Sequence, residues 1–388
     1  MTGATGPLAG VRFVEMAGIG PVPLASMILA DLGAEGIRIE NPRPYPGSAD
    51  PTRTPLNRGR ASVVVDLKSD EGPATVLRLL ERANIVLEGF RPGVMERLGL
   101  GPDVALERNR ALVYARMTGW GQDGPLAHAA GHDINYIAIA GALRHLAREG
   151  QAPVPPMNLV GDFGGGAMLL VVGVLAALSH VRGGGQGQVV DAAMIDGTAL
   201  LMAMSYGFYA AGQMSLNPGT NILDTGAPYY DVYETADGRH VGVGAIEAQF
   251  YDAMLQGLGL DPSELPAQAD VARWPELRAA FAERFRTRTL AEWSEVFDGT
   301  DACVAPVLDM VEAFAHPHMA ARGTLTEIDG VLQPSAAPRF SLTPSQTAPA
   351  SSAHGADTET ALLAWGFPAH DVQRLLAAGV VGSSPPPI

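Results

Sequence analysis

The sequence predicts an α/β protein whose N-terminal half forms a parallel β-sheet. Short runs rich in valine and isoleucine alternate there with helical patterns of about ten residues. This alternation is typical of βαβ units, in which helices cover a parallel sheet. The composition agrees with a folded protein, since 47% of the 388 residues are hydrophobic and neither Gly nor Pro recurs periodically.

The elements of the first half follow from β-branched runs and from the residues that end them. Each run stops at Gly, Pro or a charged residue, and a helical pattern follows. Ser69 or Asp70 is placed to cap the helix after the third strand. We predict strands over 11–15, 36–40, 62–66, 85–88 and 112–117, and helices over 23–32 and from 69 or 70 to 83.

Helical patterns dominate the second half, with one hairpin. The residues Ala236-Asp-Gly238 are turn formers between two alternating runs, 230–235 and 240–244. Gln333 to Ala356 is rich in Pro, Ser and Ala and predicts an extended linker. The remaining predictions are a strand over 189–191 and helices over 135–147, 164–181, 193–214, 248–257, 274–286, 290–297, 358–366 and 371–378.

Two domains are expected from this order of elements. The large domain is α/β and Rossmann-like, and comprises 1–192 and 334–388. The small domain, 225–316, is α+β, and 193–224 and 317–333 are the linkers.

Charge and residue counts exclude several classes of protein. A net charge of −15 opposes binding to nucleic acid or to an anionic membrane surface. Cys303 is the only cysteine, which excludes an intrachain disulfide and fits the cytoplasm. No signal peptide is expected, and the longest apolar run, 167–178, is too short to cross a membrane. We expect no metal site. Lys68 is the only lysine, and no phosphate-loop, GxSxG or HExxH motif occurs.

A glycine turn after the first strand invites a dinucleotide-binding interpretation. The turn is Gly18-Ile-Gly20-Pro-Val-Pro23, with Glu40 about twenty residues on. Proline occupies the place of the third glycine, which normally allows close helix packing. We therefore expect a Rossmann-like scaffold that binds no nicotinamide.

Two stretches place titratable groups beside glycine-rich backbone. One is Ala130-Gly-His132-Asp-Ile-Asn-Tyr136, and the other is Asn158-Leu-Val-Gly-Asp162-Phe-Gly-Gly-Gly166. If the three glycines open a helix, its first N–H groups are free to bind negative charge. Taken alone, however, Asp162 is better interpreted as a helix cap and His132 as a structural or exposed histidine.

Longer matches decide between these interpretations. The chain resembles the α-methylacyl-CoA racemases, which belong to the family III CoA-transferase superfamily. The resemblance rests on the order and spacing of segments between Pro7 and Glu247. These are 7–12, 66–68, 91–100, 114–121, the GHDINY run 131–136, the NLVGDFGGG run 158–166, 226–231 and the GAIE run 244–247.

The resemblance implies an isomerase that inverts the α-carbon of a 2-methylacyl-CoA by proton transfer, with no cofactor besides the CoA of the substrate. Such a reaction needs an acid and a base on opposite faces of the carbon. His132 and Asp162 are implied in these roles, with Glu247 of the partner chain bonding the histidine and the Asp162 N–H binding the thioester oxygen. The implied CoA contacts are Asn41, Val65, Asp66, Leu67, Lys68, Gly89, Arg91, Gly131, Asp133 and Tyr136.

The same resemblance implies an interlocked homodimer and a place in fatty acid metabolism. The racemases often have a basic residue at the position of Asn41, and Arg43 is a possible replacement. The alternative function is CoA transfer with Asp162 as nucleophile. His132 favours the racemase, because transferases commonly have an aromatic residue there. A CoA-ester-binding protein without activity is a third interpretation.

Overall fold

The computed structural model describes residues 5–43 and 50–382, which divide into two compact units. The first, which we call the sheet unit, contains the described residues up to Ala140, Met157–Leu201, and those from Pro317 onward. The second, the small unit, contains Gly141–Pro156 and Met202–His316. The bounds expected from sequence differ from this division, since residues 141–156 lie in the small unit and residues 317–333 in the sheet unit.

A seven-stranded sheet is the framework of the sheet unit. Its strands are β1 (Arg12–Met16), β2 (Glu35–Glu40), β3 (Arg60–Val65), β4 (Ile85–Glu88), β5 (Val113–Thr118), β6 (Val189–Ala193) and β12 (Val381–Gly382). They lie in the order β12-β3-β2-β1-β4-β5-β6, and only β12 runs antiparallel to its neighbour. The six parallel strands have the doubly wound order of Rossmann folds, which reverses direction between β1 and β4.

Helices cover both faces of this sheet because successive strand residues point to opposite sides. Val14 and Met16 enter one core, whereas Phe13 enters the other. The first core packs against α2 (Gly72–Leu80), α4 (Pro102–Arg108), α14 (Thr358–Ala364) and α15 (Ala369–Ala377). The second packs against α1 (Pro21–Asp31) and α6 (Leu169–Arg182). The remaining elements of this unit are α3 (Val94–Arg97), α5 (Asp133–Ile139), α7 (Met194–Leu201), α13 (Pro317–Arg322), β10 (Leu325–Ile328) and β11 (Val331–Pro334).

The small unit packs helices on a three-stranded antiparallel sheet. The predicted hairpin is confirmed as β7 (Tyr230–Glu234) and β8 (His240–Gly244), and β9 (Val304–Pro306) pairs with β8. Its core is rich in aromatic side chains, among them Phe281, Phe285 and Trp293. Its helices are α8 (Ala203–Ala210), α9 (Ala248–Leu258), α10 (Trp274–Phe285), α11 (Leu290–Phe297) and α12 (Met310–Ala315).

Two predicted helices are shorter than expected. The helix predicted over 135–147 is α5, which ends at Ile139 because Gly141 takes a left-handed conformation (φ 86°). The prediction of a single helix over 193–214 is wrong, since the helix is interrupted at Met202, between α7 and α8. No glycine or proline marks that break, which coincides with the division between the two units.

The glycine-rich segment is also different from the prediction. A π-helix begins at Leu159, runs through Met168 and continues into α6, so the three glycines lie inside a helix and do not open it. They permit close packing, because a Cβ on Gly165 would lie 2.6 Å from the backbone nitrogen of Thr198 in α7. The π-helix therefore packs tightly on α7.

The joined helix Leu159–Arg182 has 24 residues and is long and apolar enough, by those criteria, to cross a membrane. The sequence analysis expected an apolar segment too short to cross a membrane, and the observed helix is longer than that segment. One face of this helix, with Leu170, Val174 and Leu178, lies in the core beneath the sheet. A core helix of a globular protein has this arrangement. Length and mean hydropathy alone do not distinguish such a core helix from a membrane-spanning helix.

The segment predicted as an extended linker is partly ordered by pairing. Gln333 lies in β11, and its side chain accepts a hydrogen bond from buried Arg58. Further on, the N–H of Ala348 donates to Asp31 and the carbonyl of Pro349 accepts from Gly59. Hydrogen bonds thus hold this extended segment against the sheet unit.

Candidate active site

A cavity of about 560 Å³ lies at the carboxyl ends of the central strands. Its walls include residues 19–22 after β1, residues 89–92 after β4 and residues 117–120 after β5. Ligands of open α/β sheets bind where the strand order reverses, which here is between β1 and β4. The topology alone therefore marks this cavity as the candidate site.

His132 and Asp162 both line this cavity. His132 is the N-cap residue of α5, and its backbone N–H donates to the side chain of Asn135 (3.0 Å). The imidazole is exposed, whereas Asp162 is half-buried in the π-helix. Two elements distant in sequence thus bring an imidazole and a carboxyl group to one cavity.

The Asp162 carboxyl group has a raised pKa. Burial is the main cause, and the nearby Asp133 carboxylate adds to it, while a hydrogen bond from Asn158 (3.1 Å) opposes the shift. A carboxyl group that holds its proton more firmly than usual is suited to general acid catalysis near neutral pH.

The Asp162 backbone N–H is engaged by a neighbouring carboxylate. It donates to the Asp133 carboxylate at 2.7 Å, and Asp133 is buried. Asp162 lies in the first turn of the π-helix, and this hydrogen bond occupies an amide that would otherwise be a free first-turn donor. Asp133 thereby ties α5 to the π-helix, and the binding of a thioester oxygen by the Asp162 N–H stays a prediction.

Tyr136 closes one wall of the cavity behind His132. Its ring lies against Gly119 and edge-on to Trp120, with ring centroids 4.7 Å apart. A Cβ on Gly119 would lie 2.0 Å from the ring, so only glycine fits there. Burial raises the pKa of Tyr136, and the negative charge of Asp162 adds to the shift.

The predicted CoA contacts fall into two groups. Gly89, Arg91, Gly131 and Tyr136 line the cavity, and Asp133 lies behind it. The others lie at or just after the carboxyl ends of β2 and β3, on the same side of the sheet as the cavity, because the carboxyl ends of parallel strands meet there. These are Asn41, Val65, Asp66, Leu67 and Lys68, and none of them lines the cavity. Arg43 is exposed.

Glu40, the acid of the incomplete dinucleotide motif, is buried at the end of β2. Its carboxylate pairs with Arg38 (2.9 Å) and accepts a hydrogen bond from Ser62. The group that would bind a ribose is thus engaged within the chain. Among the described residues, no cluster of three or more His, Cys, Asp or Glu side chains could hold a metal ion.

Glu247, the third predicted catalytic residue, lies in the small unit. It follows β8 and is the N-cap residue of α9, with an exposed side chain. Its negative charge contributes to the raised pKa of Cys303, which is chiefly due to partial burial of the thiol.

Two residues of the site were not singled out from sequence. Asn158 bonds Asp162, and its position four residues earlier on a helix was the available signal. Gly20 was noted only as part of a motif. A Cβ built on it would lie 3.2 Å from the Asp162 carboxylate oxygen.

Gly20→Ala is expected to disturb Asp162 and to lower the catalytic rate at least tenfold, since misplacement by about 1 Å can cost 100-fold. Gly20 has φ 73° and ψ −123°, a region open almost only to glycine, so stability should also fall by about 1–3 kcal/mol. Kinetics and chemical unfolding measure the two effects.

Gly10→Ala is the matched control, because Gly10 also has a positive φ (82°) but no atom within 4 Å of the position that a Cβ would take. It should lose stability and keep its activity. An equal loss of activity in both variants would show that backbone strain alone, without contact on Asp162, is responsible.

The comparisons agree with this geometry. Residues 8–358 match the sequence model of CoA-transferase family III, and the chain belongs to that family. The α-methylacyl-CoA racemase of Mus musculus is 43% identical over 97% of this chain and 98% of its own length. That of Homo sapiens is 41% identical over the same shares.

The fold has a close counterpart among solved structures. A CAIB/BAIF family protein from Brucella suis has a TM-score of 0.78, with 93% of this chain and 100% of the other covered. Its sequence is 24% identical, so it supports the fold alone. The predicted family and α/β fold class are confirmed, while the interlocked homodimer stays a prediction.

Proposed function

We propose that this chain is an α-methylacyl-CoA racemase that interconverts the enantiomers of 2-methylacyl-CoA thioesters. The observation that carries the proposal is the meeting of His132 and Asp162 at one cavity, at the switch point of the sheet. The two racemases with matching length support it. We also propose that the enzyme acts in the cytoplasm and in fatty acid metabolism.

In the proposed reaction, one of the two groups removes the α-proton and leaves an enolate of the thioester. The other then delivers a proton to the opposite face, so that configuration is inverted and no atom is gained or lost. The raised pKa of Asp162 supports its role as the acid in one direction, with His132 as the base. The roles exchange in the reverse direction.

A second candidate for stabilising the enolate oxygen is the first turn of α5. Within the described residues, the N–H groups of Asp133 and Ile134 have no acceptor. They lie directly after His132, at the positive end of the helix. Stabilisation of a developing oxyanion by such donors is worth about 3–4 kcal/mol in other enzymes.

We also propose that the enzyme acts as a homodimer in which Glu247 of one chain faces His132 of the other. Large apolar side chains are exposed on a single chain, including Met168 (51%), Val172 (62%) and Leu200 (63%) in the sheet unit. In the small unit, α8 exposes Met204, Tyr206 and Tyr209. Apolar surface of this extent is typical of a permanent interface, and a second copy is its proposed partner.

The decisive experiment follows each enantiomer of 2-methyldecanoyl-CoA in D₂O. We expect loss of the α-proton signal in NMR together with inversion, because the proton delivered to the opposite face comes from solvent. Chiral analysis of the hydrolysed acid measures inversion. A matched incubation in D₂O without enzyme sets the background rate.

Addition of a free carboxylic acid to the same incubation tests the alternative. Movement of CoA to that acid without α-deuteration would replace the racemase with a transferase that uses Asp162 as nucleophile. Binding of the thioester with neither reaction would leave only a CoA-ester-binding protein.

A further inference from the structure

The turn between β8 and α9 carries Glu247 and is held at both ends. The N–H of Gly244 donates to the Cys303 carbonyl (2.9 Å), and that of Ile246 donates to Gly244 (3.0 Å). On the helix side, the Glu247 carbonyl accepts from Phe250 (3.0 Å) and Tyr251 (2.9 Å). The backbone around Glu247 therefore has little freedom.

Gln268 adds a side-chain contact from outside this turn, besides the backbone contact from Cys303. Its side-chain Nε2 donates to the carbonyls of Ile246 (2.8 Å) and Ala245 (3.3 Å), the two residues before Glu247. Gln268 lies 22 residues from Ile246 in sequence and outside any helix or strand. It thus connects a loop to the two peptide planes that lead into Glu247.

Gln268 is itself anchored to the core. Its backbone carbonyl accepts a hydrogen bond from Nε1 of Trp274 (2.9 Å), and Trp274 is buried at the start of α10. The indole packs edge-on against Tyr229, with centroids 5.9 Å apart. The aromatic core of the small unit therefore anchors the backbone from which the Gln268 side chain projects.

The Glu247 carboxylate, by contrast, has no hydrogen-bond donor among the described residues. Its side chain is exposed, and its negative charge acts on the nearby Cys303 thiol without a hydrogen bond. The direction of the carboxylate consequently depends on the backbone from which it projects. That backbone is what Gln268 holds.

We propose that Gln268 is a positioning residue that orients Glu247 for its contact with the catalytic histidine. The inference rests on the proposed function, because only there does Glu247 act on His132. Gln268 touches neither substrate nor reacting atoms. It acts by donating two hydrogen bonds to the carbonyls of the turn.

The test variant is Gln268→Met, which keeps the length of the side chain and removes the donors. We expect kcat for α-proton exchange to fall at least tenfold, with KM for the acyl-CoA nearly unchanged, since a small displacement of a catalytic group is costly. Gln268→Lys restores a donor and should recover most of the rate. Gln256→Met is the matched control, because Gln256 is an exposed residue of α9, and this variant should behave as wild type.

A double-mutant cycle separates positioning from loss of structure. In a Glu247→Gln background, Gln268→Met should cause little further loss, and both single variants should move the pH profile of kcat/KM in the same direction. Additive losses, or an unchanged rate in Gln268→Met, would overturn the inference. If Glu247→Gln has wild-type activity, the proposed role of Glu247 fails instead, and absence of exchange in the wild type rejects the racemase itself.

Discussion

Replacing His132 with alanine is expected to lower the rate of α-carbon inversion by about 10²–10⁴-fold, the usual contribution of a general acid or base. The variant should fold normally, because the imidazole is exposed and the hydrogen bond from His132 to the Asn135 side chain comes from the backbone N–H. Chiral analysis of the product measures the loss. His128→Ala is the control, since His128 is exposed nearby and does not line the cavity.

The same variant tests the homodimer. If Glu247 acts on the partner's His132, co-expression of His132→Ala with Glu247→Gln should produce mixed dimers with one intact site. Purification through two different tags isolates these dimers, and we expect about half of the wild-type activity per dimer, as one site in two is complete. Inactive mixed dimers would place both residues in one chain's site. Unchanged inversion in His132→Ala alone would contradict its role as acid or base.

Asp162→Asn is expected to lower the rate of inversion by a similar factor, about 10²–10⁴-fold, because the amide cannot exchange a proton with the α-carbon. His132 remains, so one enantiomer should still exchange its α-proton with solvent while keeping its configuration. NMR in D₂O, with each enantiomer tested separately, detects this selective exchange. Equal exchange of both enantiomers would show that the two groups do not serve opposite faces.

The same substitution should stabilise the protein at neutral pH. Burial raises the pKa of Asp162 above its ordinary value of 3.8, so the ionised carboxylate destabilises the folded state. This penalty is complete above the folded-state pKa and disappears as the pH falls below the unfolded-state value. Thermal unfolding at pH 7.5 should therefore show a higher Tm for Asp162→Asn, with a difference that shrinks at lower pH. A lower Tm for Asp162→Asn than for the wild type at pH 7.5 would contradict the predicted stabilisation.

Local patterns were sufficient for many elements of the fold. Strand β4 and helix α11 have the predicted bounds, because a β-branched run and an amphipathic pattern with a Thr289 cap are local signals. The interruption of the predicted helix at Met202 has no such signal. It depends on α7 packing against the π-helix, where Gly197 and Gly165 are in close backbone contact.

For the candidate site, the resemblance to a family identified His132 and Asp162, whereas their surroundings came from the structure. The sequence could not show that the Asp162 N–H is taken by Asp133, because the two residues are 29 positions apart. Gly20 and Gln268 were missed for the same reason. Their significance lies in a contact with a distant residue and not in any motif.

The sequence by itself determined the α/β class, the hairpin and the family, since periodicity, turn residues and motif spacing are all local properties of the chain. Only the tertiary structure decided the order of the strands, the cavity at their reversal, and the burial that raises the pKa of Asp162. The physical reason is that strand order, desolvation and hydrogen bonds between distant segments are non-local. They exist only once the sheet has brought those segments together.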